Sequence, residues 1–211
     1  MKATALVVSA REHGNSYELA RFVLNHLQTK GVETELVNFY DYQITPCQKC
    51  QYECLAHLDP NRVAGMRCPV EDDVYAIWKK AWDSDLLFIF VPTYGGLPPA
   101  LWVAFSQRVQ AFHREAPQEK LKKEVLSAVV LASPHQSSGA SWIPSLMSDE
   151  VKGLGMKVVG FEVINQTQFE VDYLLDRLIN DEEVRRRMRY LAERSWSVAC
   201  EQSGGDLASG R

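Results

Sequence analysis

Leu86-Leu87-Phe88-Ile89-Phe90-Val91 is a run of six apolar residues with no polar side chain among them. A strand wetted on one face alternates apolar with polar residues, because successive side chains point to opposite sides. An unbroken run therefore reads as a strand covered on both faces, as in a parallel sheet between two helical layers. The flanking sequence agrees. Glu71-Asp72-Asp73 reads as the cap of a helix carrying Val74, Ile77, Trp78, Ala81 and Trp82 on one face. Pro98 and Pro99 lead into a second helix carrying Leu101, Trp102, Phe105, Val109 and Phe112.

The same alternation of strand and helix fills the rest of the chain. Ala5 to Val8 predicts a buried strand, and Leu19, Phe22, Val23, His26 and Leu27 predict an amphipathic helix after it. Val32 to Phe39, Val125 to Ala132 and Met156 to Ile164 complete five predicted strands. Ser141 to Leu154 predicts a helix begun afresh near Pro144, and Asn180 is the expected cap of a last helix bearing Val184, Met188, Leu191, Ser195 and Val198. Five such alternations specify an α/β domain with a parallel sheet. In such sheets ligands gather beyond the carboxyl ends of the strands, where strand order reverses.

Three loops would meet there. After the first strand, Ser9-Ala10-Arg11-Glu12-His13-Gly14-Asn15-Ser16 combines small polar side chains, one guanidinium and a helix N-terminus. That combination suits a phosphate, and Gly14 allows a positive φ or a close backbone approach. Read alone, it is equally the start of a capped helix that binds nothing. It lacks the Gly-Lys-Ser/Thr of a triphosphate loop and the G-x-G-x-x-G of a dinucleotide site. After the third strand comes Pro92-Thr93-Tyr94-Gly95-Gly96, and after the fourth Ser133-Pro134-His135-Gln136-Ser137-Ser138-Gly139. Tyr94, and Trp142 further on, offer stacking faces.

Composition narrows the function classes. With 23 basic and 27 acidic residues the net charge is -4, which disfavours nucleic acid as a partner. Arg185, Arg186 and Arg187 lie among glutamates and read as a solvated helix face. No apolar run approaches the ~20 residues of a membrane span, so no membrane partner and a cytoplasmic location are expected. The five cysteines, Cys47, Cys50, Cys54, Cys68 and Cys200, are an odd number, which argues against a disulfide framework. Cys47, Cys50, Cys54 and Cys68 fall in one long irregular stretch, with His57 as a substitute ligand. Their spacing leaves an iron–sulfur cluster, zinc and free or redox-active thiols all open.

Ser9-x-Arg11-x-x-Gly14-Asn15-Ser16 followed by Pro92-Thr93-Tyr94-Gly95-Gly96 resembles the flavodoxin-like NAD(P)H-dependent FMN reductases. Ile44-x-Pro46-Cys47-x-x-Cys50 with Cys68-x-x-x-Asp72-Asp73 is similar to the members that include the iron–sulfur flavoproteins. Two features depart from the pattern. Gln107-Arg108 stands where members often carry Asp-Arg, and the cysteine spacing C-x2-C-x3-C-x13-C is looser than a compact cluster motif.

The resemblance implies a flavodoxin-like doubly wound five-stranded parallel sheet of order 2-1-3-4-5. With no linker dividing it, the chain itself reads as one domain over residues 1–202 with a cysteine-rich insertion at about 43–70, and the Gly/Ser-rich end at 203–211 as a flexible tail. The resemblance also implies FMN bound by Ser9, Arg11, Asn15, Ser16, Pro92, Thr93, Tyr94, Gly95, Gly96, Ser133, Pro134, His135 and Gly139, with no catalytic acid or base nominated. Cys47, Cys50, Cys54 and Cys68 would be the ligands of a [4Fe–4S] cluster if one is present.

The expected activity is an oxidoreductase taking hydride from NAD(P)H and passing electrons to a small-molecule or protein acceptor. The alternative is a non-enzymatic flavin electron carrier. A phosphatase on the same fold would need a cysteine where Ser9 stands. A homodimer or higher homo-oligomer is expected from the large apolar residues of the third helix.

Overall fold

The computed structural model describes residues 1–48, 68–113, 126–133, 142–153, 156–165 and 178–208. Five strands, β1 (Lys2–Val7), β2 (Glu33–Asn38), β3 (Leu86–Pro92), β4 (Leu126–Ser133) and β5 (Lys157–Asn165), form one sheet. All pairings are parallel, and the order is β2-β1-β3-β4-β5. Five helices connect or flank them: α1 (Asn15–Gln28), α2 (Val74–Trp82), α3 (Ala100–His113), α4 (Ile143–Gly153) and α5 (Glu182–Ala208).

The apolar run of β3 divides its side chains between two cores. Leu87, Ile89 and Val91 join Leu6 and Val8 under α2, α3 and α4, where Ile77, Trp102, Phe105 and Met147 meet them. Leu86, Phe88 and Phe90 join Ala5 and Val7 under α1 and α5, against Leu19, Val23, Val184 and Met188. Each such buried side chain stabilises by roughly 1.5–3 kcal/mol relative to exposure, so the two layers hold the sheet from both sides.

The edge strand β5 departs from simple alternation. Ser127 pairs with Val158 and Ala128 with Gly160, so Val159 is an extra residue at a bulge. Beyond the bulge the two faces of the strand are exchanged. Val158, Phe161 and Val163 pack toward the α2–α3–α4 layer, while Val159 and Ile164 pack toward α1 and α5.

Several sequence expectations change. The large residues of α3 are not surplus surface, because Trp102, Phe105, Val109 and Phe112 are buried in the chain's own core and Leu101 packs half-buried against it. The expected oligomer loses that ground. Asp181, not Asn180, caps α5, accepting Glu183 N at 2.8 Å and Val184 N at 3.1 Å. Asn180 closes the preceding turn, Leu178–Asn180. Finally, α5 runs past Ser203 to Ala208, since extending an existing helix costs far less than starting one.

Candidate functional site

The loops after β1 and β3 meet through one hydroxyl. Tyr94 Oη lies 3.2 Å from Ser9 Oγ and accepts Ala10 N–H at 3.1 Å. Ser9 Oγ also accepts Arg11 N–H at 3.1 Å. The topology explains the meeting. β1 and β3 are neighbours, α1 leaves β1 on one face and α3 leaves β3 on the other. Their loops therefore open on the same crevice, where strand order reverses.

The β3 loop is a tight hairpin. Tyr94 N donates to Leu97 O at 2.9 Å and Leu97 N to Tyr94 O at 3.1 Å. Gly95 and Gly96 have φ of 59° and 78°. Two positive φ values at the central positions are the pattern of a type I′ turn, which disfavours a Cβ. The turn holds Tyr94 at 39% exposure while Thr93 beside it is buried.

In the first loop Gly14 precedes α1 with an extended φ of -154°. Its need is space, not handedness. A Cβ there would lie 2.9 Å from Arg11 Nη2, so the guanidinium rests against the glycine. Ser16 is buried in the first turn of α1, and Arg11 is exposed. Exposed guanidinium, hydroxyls and the N–H groups of a helix start are the donor set an anion takes.

Asn15 is buried, and its Oδ1 accepts Leu178 N–H at 3.1 Å. It ties α1 to the turn before α5, a use no local pattern reveals. Asn38, unlike Asn15, is a residue that no sequence motif singles out. From the end of β2 its Nδ2 donates to Glu12 O at 2.8 Å and its Oδ1 accepts Tyr40 N–H at 3.3 Å. The available signal was a polar residue closing a strand where burial was due.

The remaining expected residues divide. Pro92 ends β3, and Ser133 ends β4 with its backbone registered on Asn165. Trp142 stands before α4, 43% exposed. Pro134, His135 and Gly139 lie outside the described residues, as do Cys50, Cys54 and His57. Cys47 is exposed and Cys68 half-buried. Among the described residues no three His, Cys, Asp or Glu side chains stand together as metal ligands.

The acids of Glu71-Asp72-Asp73 do more than cap α2. Asp72 Oδ1 accepts Val74 N–H at 3.1 Å, while its Oδ2 accepts Thr45 N–H at 2.8 Å and pairs with Arg108. Burial alone would raise the Asp72 carboxyl, but Arg108 and the two backbone donors outweigh it and hold the group below the usual carboxylate range. Glu150 is the opposite case. Burial between α3 and α4 pushes it up, against the lowering hydrogen bonds of Trp102 Nε1 and Ser106.

The model of the NADPH-dependent FMN reductase family matches residues 1–170. The chain belongs to this family. Over 96 residues it is 33% identical to an iron–sulfur flavoprotein of Methanocaldococcus jannaschii, covering 46% of this chain and 45% of that one. Over 164 residues it is 24% identical to an iron–sulfur flavoprotein of Archaeoglobus fulgidus, covering 77% and 68%. The match thus spans about half the length of the first relative and two thirds of the second.

The FMN reductase fold is also seen in solved structures. The NAD(P)H:quinone oxidoreductase of Methanothermobacter marburgensis superposes with a TM-score of 0.64 at 16% identity, over 92% of this chain and 94% of that one. An FMN-dependent NADH-azoreductase of Bacillus anthracis, in complex with FMN, gives 0.62 at 10% identity, over 94% and 100%. At these identities the likeness is one of fold. No helix among the described residues is long and apolar enough to cross a membrane.

Proposed function

We propose that this member of the FMN reductase family binds FMN in the crevice between the loops after β1 and β3, takes hydride from NAD(P)H, and passes the electrons to a second acceptor. The observation that carries the reading is the Tyr94 hydroxyl meeting Ser9 and Ala10, which unites two loops 85 positions apart at one anion-suited point. The residues present fit the cofactor: a donor-rich helix start for a phosphate, a Gly-Gly turn and an exposed tyrosine for a flat ring.

Hydride acceptance and electron release are chemistry that bound FMN would supply. The chain's part is to bind and orient. Ser9, Arg11, Ser16 and the first N–H groups of α1 would hold the phosphate, with Asn15 fixing the helix start behind them. Pro92, Thr93, Tyr94, Gly95 and Gly96 would line one edge of the ring. Ser133, Pro134, His135 and Gly139 are assigned to its other side from the family resemblance. The exposed turn leaves room for nicotinamide to stack transiently, which needs no dinucleotide fingerprint.

No step of this reading passes through a metal. A cluster on Cys47, Cys50, Cys54 and Cys68 remains a separate proposal, supported by the names of the two archaeal relatives. A cytoplasmic location is part of the reading, supported by free Cys47, Cys68 and Cys200. So is a homo-oligomer, now supported by exposed Leu97 and Val103 where α3 begins.

Titration of the purified chain with FMN, then measurement of NADH and NADPH oxidation with ferricyanide or a quinone, tests the proposal. Saturable FMN binding with steady turnover is expected. Binding without turnover would make the protein an electron carrier instead. No binding would remove the site assignment.

A further inference from the structure

Arg108 is buried to 1% side-chain exposure in the middle of α3, twelve positions after Gly96 and outside the residues the proposed flavin site uses. Its guanidinium reaches four acceptors. Nη1 donates to Thr45 O at 3.0 Å and to the Asp72 carboxylate. Nη2 donates to Val70 O at 2.9 Å, and Nε to Cys68 Sγ at 3.4 Å. Thr45 lies at the near end of the cysteine-bearing insertion, two residues before Cys47, and Cys68, Val70 and Asp72 lie at its far end, so a single side chain holds both roots.

The roots are also laced to each other. Asp72 accepts Thr45 N–H, Asp73 N donates to Gln43 O at 3.0 Å, and Gln43 N donates to the Asp73 carboxylate at 2.7 Å. Closing a loop costs conformational entropy whatever closes it, and these bonds between the two roots offset part of that cost. Only a planar fork with five N–H donors can serve acceptors on both sides at once. A buried ion pair is weak evidence for stability in itself, so its value lies in the geometry it imposes. That geometry treats two thiols differently. Cys68 is half-buried against the α2–α3 core with its sulfur on Arg108, whereas Cys47 on the other root is exposed.

We propose that Arg108 is a positioning residue for the cysteine-bearing insertion: it closes the base of the segment and seats Cys68 inward.

The test is alkylation by iodoacetamide with a chelator present, quantified per cysteine by mass spectrometry. Each rate is normalised to the same cysteine in urea. Cys68 should react about tenfold or more slowly than Cys47, as one or more local hydrogen bonds must open first. In Arg108→Lys the charge beside Asp72 is kept but the bond to Cys68 is lost. Cys68 should then approach the Cys47 rate while Cys47 stays unchanged, a selective change that general loosening would not give. Equal rates for the two thiols in the unaltered protein would overturn the proposal without any variant. So would protection of Cys68 that appears only after metal is added, or that survives in Arg108→Lys with unchanged circular dichroism.

Discussion

The side-chain oxygen of Asn15 accepts the backbone N–H of Leu178 at 3.1 Å, fastening the first residue of α1 to the turn that precedes α5. Asn15 and its neighbour Arg11 therefore do separable things. Asn15→Ala orphans a buried N–H and should cost about 1–3 kcal/mol of stability. Arg11 is exposed, and Arg11→Ala should leave the unfolding temperature of the ligand-free chain near its original value. Its expected cost is in FMN affinity, about 1.5–3 kcal/mol or roughly tenfold or more. Thermal unfolding and FMN titration of the two single variants separate these effects. A normal FMN affinity in Arg11→Ala means the phosphate is held elsewhere.

The Gly95–Gly96 turn makes a prediction about handedness. Gly95 has φ of 59°, and an added Cβ there would meet nothing within 4 Å. Any penalty is therefore backbone strain, about 1–2 kcal/mol for Ala. Asn tolerates this region better and should cost less, while Val should cost more. FMN affinity should track the same ranking if the turn lines the ring. Indistinguishable unfolding temperatures for the Ala, Asn and Val variants would show that the turn relaxes.

Asp72 gives a pH dependence of definite sign. Burial acts to raise its folded carboxyl, but Arg108 and the backbone donors overcome that effect and hold it below the ordinary value. The stabilisation is fully present above about pH 4, the unfolded value for aspartate, and is lost as pH falls through the lower folded value. Asp72→Asn leaves Arg108 buried beside a neutral partner, which should cost about 3–5 kcal/mol near neutrality. Urea unfolding at several pH values should show the gap between the two proteins narrowing below about pH 4. A gap that stays constant into acid would mean the carboxylate charge is not what matters.

Glu150 should behave in the opposite sense. Burial raises its folded carboxyl, with hydrogen bonds from Trp102 and Ser106 only partly compensating. Its ionised form therefore costs stability, and that cost appears as pH rises through the folded value. Glu150→Gln keeps an acceptor for Trp102 Nε1 and removes the charge. The variant should melt about 2 °C higher at pH 7, a small shift because the site is partly solvent-screened. The advantage should vanish under acid conditions. A lower melting temperature at pH 7 would mean the Trp102 bond depends on the charge.

The strand run Leu86–Val91, the helical spacing around it and the order of small-residue loops determined the α/β class, because burial of each face is written locally as periodicity. Ser9 and Tyr94 could each be chosen from the sequence, since their loops come after buried strands and the crevice rule brings such loops together. What tertiary structure alone decided is where each polar group finds its partner. Asn15 turns to Leu178, Asp72 and Cys68 turn to Arg108, and Asn38 reaches back to Glu12. Local spacing carries no record of those returns. The extra residue Val159 likewise swaps the faces of β5 through a bulge invisible to a period-two reading. The inward set of α3 shows the same limit, because a wide apolar stripe looks alike whether its own sheet or a second molecule covers it. Periodicity reports that a side chain leaves water. Only the folded chain specifies the neighbour that receives it.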